Sequence, residues 1–272
     1  MKKILFVIAI FFVAFLGNYL GNLYYDSVKK PVVEKKNNKK EESKQEEIID
    51  LGKIEISYAE DKKEFISDNG KLKITNVIKY PNKITIDEKI EEKIISYLKG
   101  IVEEKFIDVN NQAQEQIYEY NSDKVDDSYE YGVIYSFSEM LVSYDVISFV
   151  LTTDGSMGGV AWNSKEYYNL STNTGKILKL DDICLNVSEC KKIMSDFFLK
   201  QLRNDERFNN LNDQYEEVIK DKLSGDSNWG YDSTGMHLMI AKYDISNGAD
   251  GMFEYLLPKE EINGYLKDGY KI

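Results

Sequence analysis

Few residues of this chain are of types that do chemistry. There is one histidine, His237, and there are two cysteines, Cys184 and Cys190. Several acids are close-set, among them Asp181-Asp182 and Asp244 with Asp250. A Ser-His-Asp or Cys-His arrangement would have to use His237, and a metal site built on several histidines is excluded. His237 sits in Met236-His237-Leu238-Met239-Ile240, which reads as a strand, so a structural or surface role is expected for it. The cysteines are six positions apart, a spacing that fits no common zinc pattern. In an oxidising compartment they could close a short loop, and export would favour a disulfide over two free thiols. Two carboxylates suffice for glycoside hydrolysis, but adjacent acids in an acidic chain are ordinarily solvated turns. No catalytic residue, metal or cofactor is expected.

The elements that must position these residues belong to a chain of 272 residues, 42% apolar, with formal charge −12. Residues 1–50 hold nine lysines and seven acids, which leaves 26 basic and 40 acidic groups, or −14, on the remainder. Such a surface repels nucleic acid and anionic lipid and favours cationic partners.

Met1-Lys2-Lys3 precedes an uncharged run from Ile4 to Tyr25, 22 residues, enough to cross a bilayer of about 30 Å. No small-x-small cleavage site follows it, so residues 1–26 read as an uncleaved anchor in preference to a cleaved signal. Six lysines between Lys29 and Lys40 would by strict charge count hold the bulk of the chain inside. A short basic start before an apolar core is nonetheless the usual secretory signal, and export is expected. Residues 27–50 mix charges with almost no apolar content and read as a disordered tether.

Downstream, a weak strand signal covers 51–58 and an alternating strand covers 71–80, ended by Pro81-Asn82. Asp87 is placed to cap a helix carrying Ile90, Ile94, Leu98, Val102 and Phe106 at helical spacing. Two β-rich runs, 129–138 and 141–153, suggest a hairpin, with Asp154-Gly155 as a turn. Asn186 and Glu189 form a capping-box pattern before a helix to about Arg203, and a second helix is expected over 205–223. Strands are expected near 235–243 and 252–257, and Pro258 opens a last short helix. This order predicts α+β with mainly antiparallel sheets and packed helices, in two α/β subdomains, 51–170 and 171–272.

One stretch is more specific. Gly158-Gly159 leads through Trp162-Asn163 and Tyr167-Tyr168-Asn169-Leu170 to Thr174-Gly175-Lys176 and Leu180-Asp181-Asp182-Ile183. Later, Tyr243-Asp244-Ile245-Ser246-Asn247-Gly248-Ala249-Asp250-Gly251 precedes Leu257-Pro258. Together these resemble the RsiV/PdaC-type extracytoplasmic region, found in a lysozyme-sensing anti-sigma factor and in the amino-terminal part of a peptidoglycan deacetylase. The family's glycine turn often continues Ala-His-Gly, where this chain has Val160-Ala161-Trp162, and its frequent proline stands at Asn247. With three residues ahead of the apolar run and the sequence ending at 272, neither a sigma-binding domain nor a deacetylase domain is expected beside this region.

The resemblance implies a membrane-tethered binding or sensor part whose ligand is a cationic protein such as lysozyme, or a cell-wall glycan. Trp162, Asn163, Tyr243 and Asp244, beside the best-matched turns, are the candidate contacts, since aromatics on loops are common anchors. Gly158, Gly159, Gly175 and Gly251 are expected to serve the backbone of turns. The alternatives are a carboxylate-dependent glycan hydrolase using Asp181-Asp182 or Asp244 and Asp250, and an envelope assembly protein packing through its 20 tyrosines.

Overall fold

Alternation along β2 (Leu72–Ile84) sets the architecture. Leu72, Ile74, Asn76, Ile78 and Tyr80 are buried, while the residues between them lie nearer solvent. The computed structural model describes residues 54–272 apart from 124–126, 144 and 158–159. The apolar run, the linker and the Gly158-Gly159 pair therefore lie outside the described residues. Among those described, no helix is long and apolar enough to cross a membrane.

The large sheet has the order β1-β2-β3-β4-β5, formed by β1 (Ile56–Ile66), β2, β3 (Tyr129–Val142), β4 (Val146–Met157) and β5 (Val160–Ser171). Every pair is antiparallel except β2 and β3, which run parallel. A parallel pair needs a crossover, and α1 (Glu88–Asp123) supplies it. Asp87 caps this helix, its Oδ1 accepting from the amides of Lys89 and Ile90 at 3.0 and 3.2 Å. Ile94, Leu98, Val102, Val109 and Ala113 form the buried stripe that lies on the sheet. Buried Asn76 ties the layers together: Nδ2 donates to Val109 O and Asn110 Oδ1, and Oδ1 accepts from Val133 N.

The small sheet, β6 (Trp229–Tyr231), β7 (Gly235–Ile240) and β8 (Phe253–Pro258), is antiparallel throughout. Its inner face meets α3 (Val187–Leu202) and α4 (Tyr215–Lys222) in a second core holding Trp229, Tyr231, Met236, Leu238, Ile240, Phe198 and Ile219. Short helices α2 (Leu180–Ile183) and α5 (Lys259–Ile262) close it. Leu141 and Val146 from the large sheet also enter this core, so the two cores meet along β3 and β4. The architecture is α+β, with mainly antiparallel sheets and packed helices.

Several local expectations are corrected. Pro81 does not end β2, because the strand passes through it to Ile84 beside a register shift in β1 between Ser57 and Tyr58. A bulge tolerates a residue with no N–H. Asp154-Gly155 is not a turn; β4 continues to Met157, and Gly155 pairs with Trp162. The helix expected over 205–223 is divided into a 3-10 segment at Glu206–Asn210 and α4. Asp205 caps the first segment by accepting from Arg207 N, and Asn212, between the two, accepts from Gln214 N, a local side-chain bond that competes with a continuous helix.

Candidate functional site

The predicted residues fall at two places. Trp162 and Asn163 are neighbours on β5, so their side chains point to opposite faces of the sheet. The Trp162 ring packs against Gly155, where an added Cβ would come within 2.6 Å of it. This is cross-strand packing of an aromatic on a glycine. Asn163 is exposed. No hydrogen bond, ion pair or ring contact joins either residue to Tyr243 or Asp244 among the described residues.

Tyr243 and Asp244 lie in the connection from β7 to β8. Tyr243 has φ +75°, the only positive value outside glycine among the described residues. A bulky side chain adopts that conformation only where its surroundings impose it. Its ring lies against Gly248, where an added Cβ would come within 2.2 Å of the ring carbons, yet 65% of the residue is exposed. Asp244 pairs with Lys222 at 3.1 Å, and its carbonyl accepts from Asn212 Nδ2. Ile245 is fully buried, and its carbonyl accepts from Asn212 N at 2.9 Å.

The returning arm is pinned by Arg207. Nη1 donates to the carbonyls of Asp250 and Met252 at 2.8 and 3.0 Å, and the guanidinium lies 4.0 Å from the Phe253 ring centroid. Nε and Nη2 grip the Asp205 carboxylate at 2.8 and 2.6 Å, and Tyr255 donates to the same group at 2.7 Å. The bonds from Arg207, outweighing the opposing effect of burial, hold the Asp205 carboxyl well below the usual carboxylate range. Gly251, at φ +75°, makes the final bend, and Gly175, at φ +70°, serves the Thr174-Gly175 turn. The loop therefore presents an exposed tyrosine on a braced frame.

The remaining acids sit in local structural contacts. Asp182 accepts from Lys179 N at the start of α2, and Lys267 Nζ donates to the carbonyls of Asp181 and Asp182. Asp250 Oδ1 accepts from Asn210 Nδ2 at 2.8 Å. Cys184 and Cys190 are joined in a disulfide that spans the amino-terminal cap of α3, where Asn186 accepts from Ser188 N and Glu189 N.

A second polar centre was not anticipated from the sequence. On the face of the small sheet turned away from its helices, His237 lies between two carboxylates. Nε2 is 2.7 Å from Asp232 Oδ2 and Nδ1 is 3.0 Å from Glu254 Oε1. Glu254 also accepts from Tyr167 OH and Lys165 Nζ, each at 2.5 Å, and both partners stand on β5. Asp232 Oδ1 accepts from Thr234 N, Thr234 Oγ1 and Gly235 N. Burial opposes ionisation of both acids, but hydrogen bonds outweigh it and hold each at about 2, those from Thr234 and His237 for Asp232 and those from His237, Lys165 and Tyr167 for Glu254. The bond to Glu254 raises the His237 pKa despite burial, with Asp232 adding to the effect. Burial and then the Glu254 bond push the Tyr167 hydroxyl far upward. Among the described residues no set of three or more His, Cys, Asp or Glu side chains is placed to hold a metal ion; the His237 nitrogens are already engaged.

No family model and no curated protein matches the sequence. Solved structures do. A member of the DUF3298 family from Bacteroides fragilis aligns with a TM-score of 0.53 at 21% identity, covering 79% of this chain and 94% of that one. This chain shares its fold. A DUF3298 family protein from Pseudomonas aeruginosa is also similar, with a TM-score of 0.46 at 13% identity over 79% of this chain and 96% of that one. The structural neighbours are thus bacterial proteins of a family named for a domain of unknown function, and they do not conflict with the RsiV/PdaC-type resemblance.

Proposed function

We propose that the folded part is a membrane-tethered extracytoplasmic binding or sensor module, whose ligand is a cationic protein such as lysozyme or a cell-wall glycan. The observation that carries this reading is Tyr243, a strained and exposed aromatic on a loop braced at both ends. Strain kept at an exposed residue is typical of binding positions, and a rigid aromatic makes contact area at low entropic cost. The charge of −14 over residues 51–272 favours a cationic partner, speeding encounter and making it salt-sensitive.

The test is titration of residues 51–272, which lie within one compact unit, with a cationic lysozyme at low salt and at about 0.15 M, where the Debye length is roughly 8 Å. Saturable one-to-one binding that survives the higher salt, and that weakens about tenfold or more in Tyr243→Ala, supports the reading. Binding that disappears with salt, or that ignores Tyr243→Ala, removes lysozyme as the ligand at this loop. Titration with soluble wall glycan then tests the remaining arm.

A further inference from the structure

His237 is the one histidine of the chain, and its surroundings dictate its charge. A neutral imidazole offers one N–H and one lone pair. Here both ring nitrogens face carboxylate oxygens, at 2.7 and 3.0 Å. A lone pair turned toward a carboxylate at such a distance is repulsive, so both nitrogens must carry protons. The charged groups that face the ring come from every neighbouring element: Asp232 from the β6–β7 turn, Glu254 from β8 and, through Glu254, Lys165 from β5. Tyr167, also from β5, lies with its ring centroid 6.3 Å from the imidazole. Two carboxylates, one ammonium and one imidazolium sum to zero.

We infer that His237 is a proton-binding site and that its imidazolium acts as a clasp, aligning Glu254 for Lys165 and Tyr167 and so locking the small sheet onto β5. Deprotonation leaves the cluster with one excess negative charge, and one carboxylate facing a lone pair. A neutral ring keeps its bond to Asp232 or to Glu254, not to both. Asp232 retains the amides of Thr234 and Gly235, whereas Glu254 divides its remaining bonds across the junction to β5. The junction between the sheets is therefore where release is felt. The pKa of His237 is raised in the folded state, so the stability it contributes is complete below the ordinary value of 6.5 and is lost as pH rises through the folded midpoint.

Because the chain has a single histidine, one imidazole resonance set reports on it in the full-length protein. The proposal expects both ring nitrogens protonated at pH 6.5 and a titration midpoint above that value, which falls in Glu254→Gln and in Asp232→Asn. It also expects amide hydrogen exchange at residues 165–167 and 254, corrected for intrinsic pH dependence, to accelerate severalfold as the ring deprotonates. A midpoint at or below 6.5 in the wild-type chain overturns the proposal whether or not the variants fold. Unchanged corrected exchange across the midpoint overturns the clasp even if the midpoint is raised. In His237→Gln the acceleration above neutral pH should be absent, and its persistence would refute the assignment.

Discussion

The Tyr167 ring rests directly on Gly230, where an added Cβ would come within 2.7 Å of Tyr167 Cδ1. This contact lets β5 approach the small sheet closely enough for Tyr167 and Lys165 to reach Glu254. Gly230→Ala should therefore destabilise the fold by about 1–3 kcal/mol, the usual range for overpacking. In a Tyr167→Ala background the same substitution should cost much less. Urea midpoints of the four proteins in this cycle decide it; equal costs in both backgrounds would show that Gly230 serves something other than Tyr167.

Asp232 and Glu254 are each held at about 2 in the folded protein, below the ordinary carboxylate values of about 4. A depressed pKa contributes stability that is present above the unfolded value and lost as pH falls toward the folded one. Denaturant midpoints should accordingly decline between about pH 4.5 and pH 2. Glu254→Gln should flatten part of that decline. An identical acid profile in the variant would place the sensitivity elsewhere.

Arg207 joins Asp205 to the carbonyls of Asp250 and Met252. Arg207→Met keeps much of the apolar stem but removes every one of these bonds, and it leaves the half-buried Asp205 carboxylate without its charged partner, held only by Tyr255 and the backbone amide of residue 207. A loss of about 2–4 kcal/mol is expected, between that of a charged hydrogen bond and that of a broken buried pair. The signature is local as well: limited proteolysis should shift to residues 241–252. Arg207→Met without new cleavage there would mean that the loop stands without this brace.

Tyr243 offers a separation of folding from binding. A glycine adopts its φ of +75° without strain, so Tyr243→Gly should leave thermal stability within about 1 kcal/mol of wild type or raise it, once lost ring packing is counted. Ligand affinity should fall at the same time. If the variant unfolds early, Tyr243 is a packing residue and the binding proposal loses its anchor.

The Cys184–Cys190 disulfide closes a short loop. The chain-entropy relation gives about 2 kcal/mol for a loop of this size. Cys184→Ser with Cys190→Ser should lower the melting temperature by a few degrees without unfolding the domain, and reductant should do the same to the wild type but not to the double variant.

Much of the fold was legible because its signals are local. Asp87 and Asn186 announce helix starts through their own neighbours, and both cap as read. Pro258 stands at the start of the last helix, and β2 shows its alternation from Leu72 to Tyr80. The His237 centre was illegible for the opposite reason. Lys165 and Glu254 are 89 positions apart, and an acid in a strand, as at Glu254, is ordinarily a solvent-facing residue. What could have drawn notice is that pattern itself: Phe253 and Tyr255 point to the core, so Glu254 must emerge on the reverse face with His237. β6 escaped because three residues, Trp229-Gly230-Tyr231, carry no period. Asp154-Gly155 misled because the dipeptide favours turns in isolation, whereas here its glycine makes room for Trp162 from across the sheet.

The lone parallel seam between β2 and β3 has a kinetic consequence. β1 with β2, and β3 with β4 and β5, are contiguous antiparallel sets whose ladders close between sequence neighbours. β2 and β3 can meet only after all 36 residues of α1 have been laid down between them. Loop-closure entropy must be overcome before that seam returns any hydrogen bonds, so it is the last of the ladders to close, after the rate-limiting step. Substitutions along Ile74, Asn76 and Ile78 should then change the unfolding rate more than the folding rate, whereas those within the β3–β4 hairpin should do the reverse.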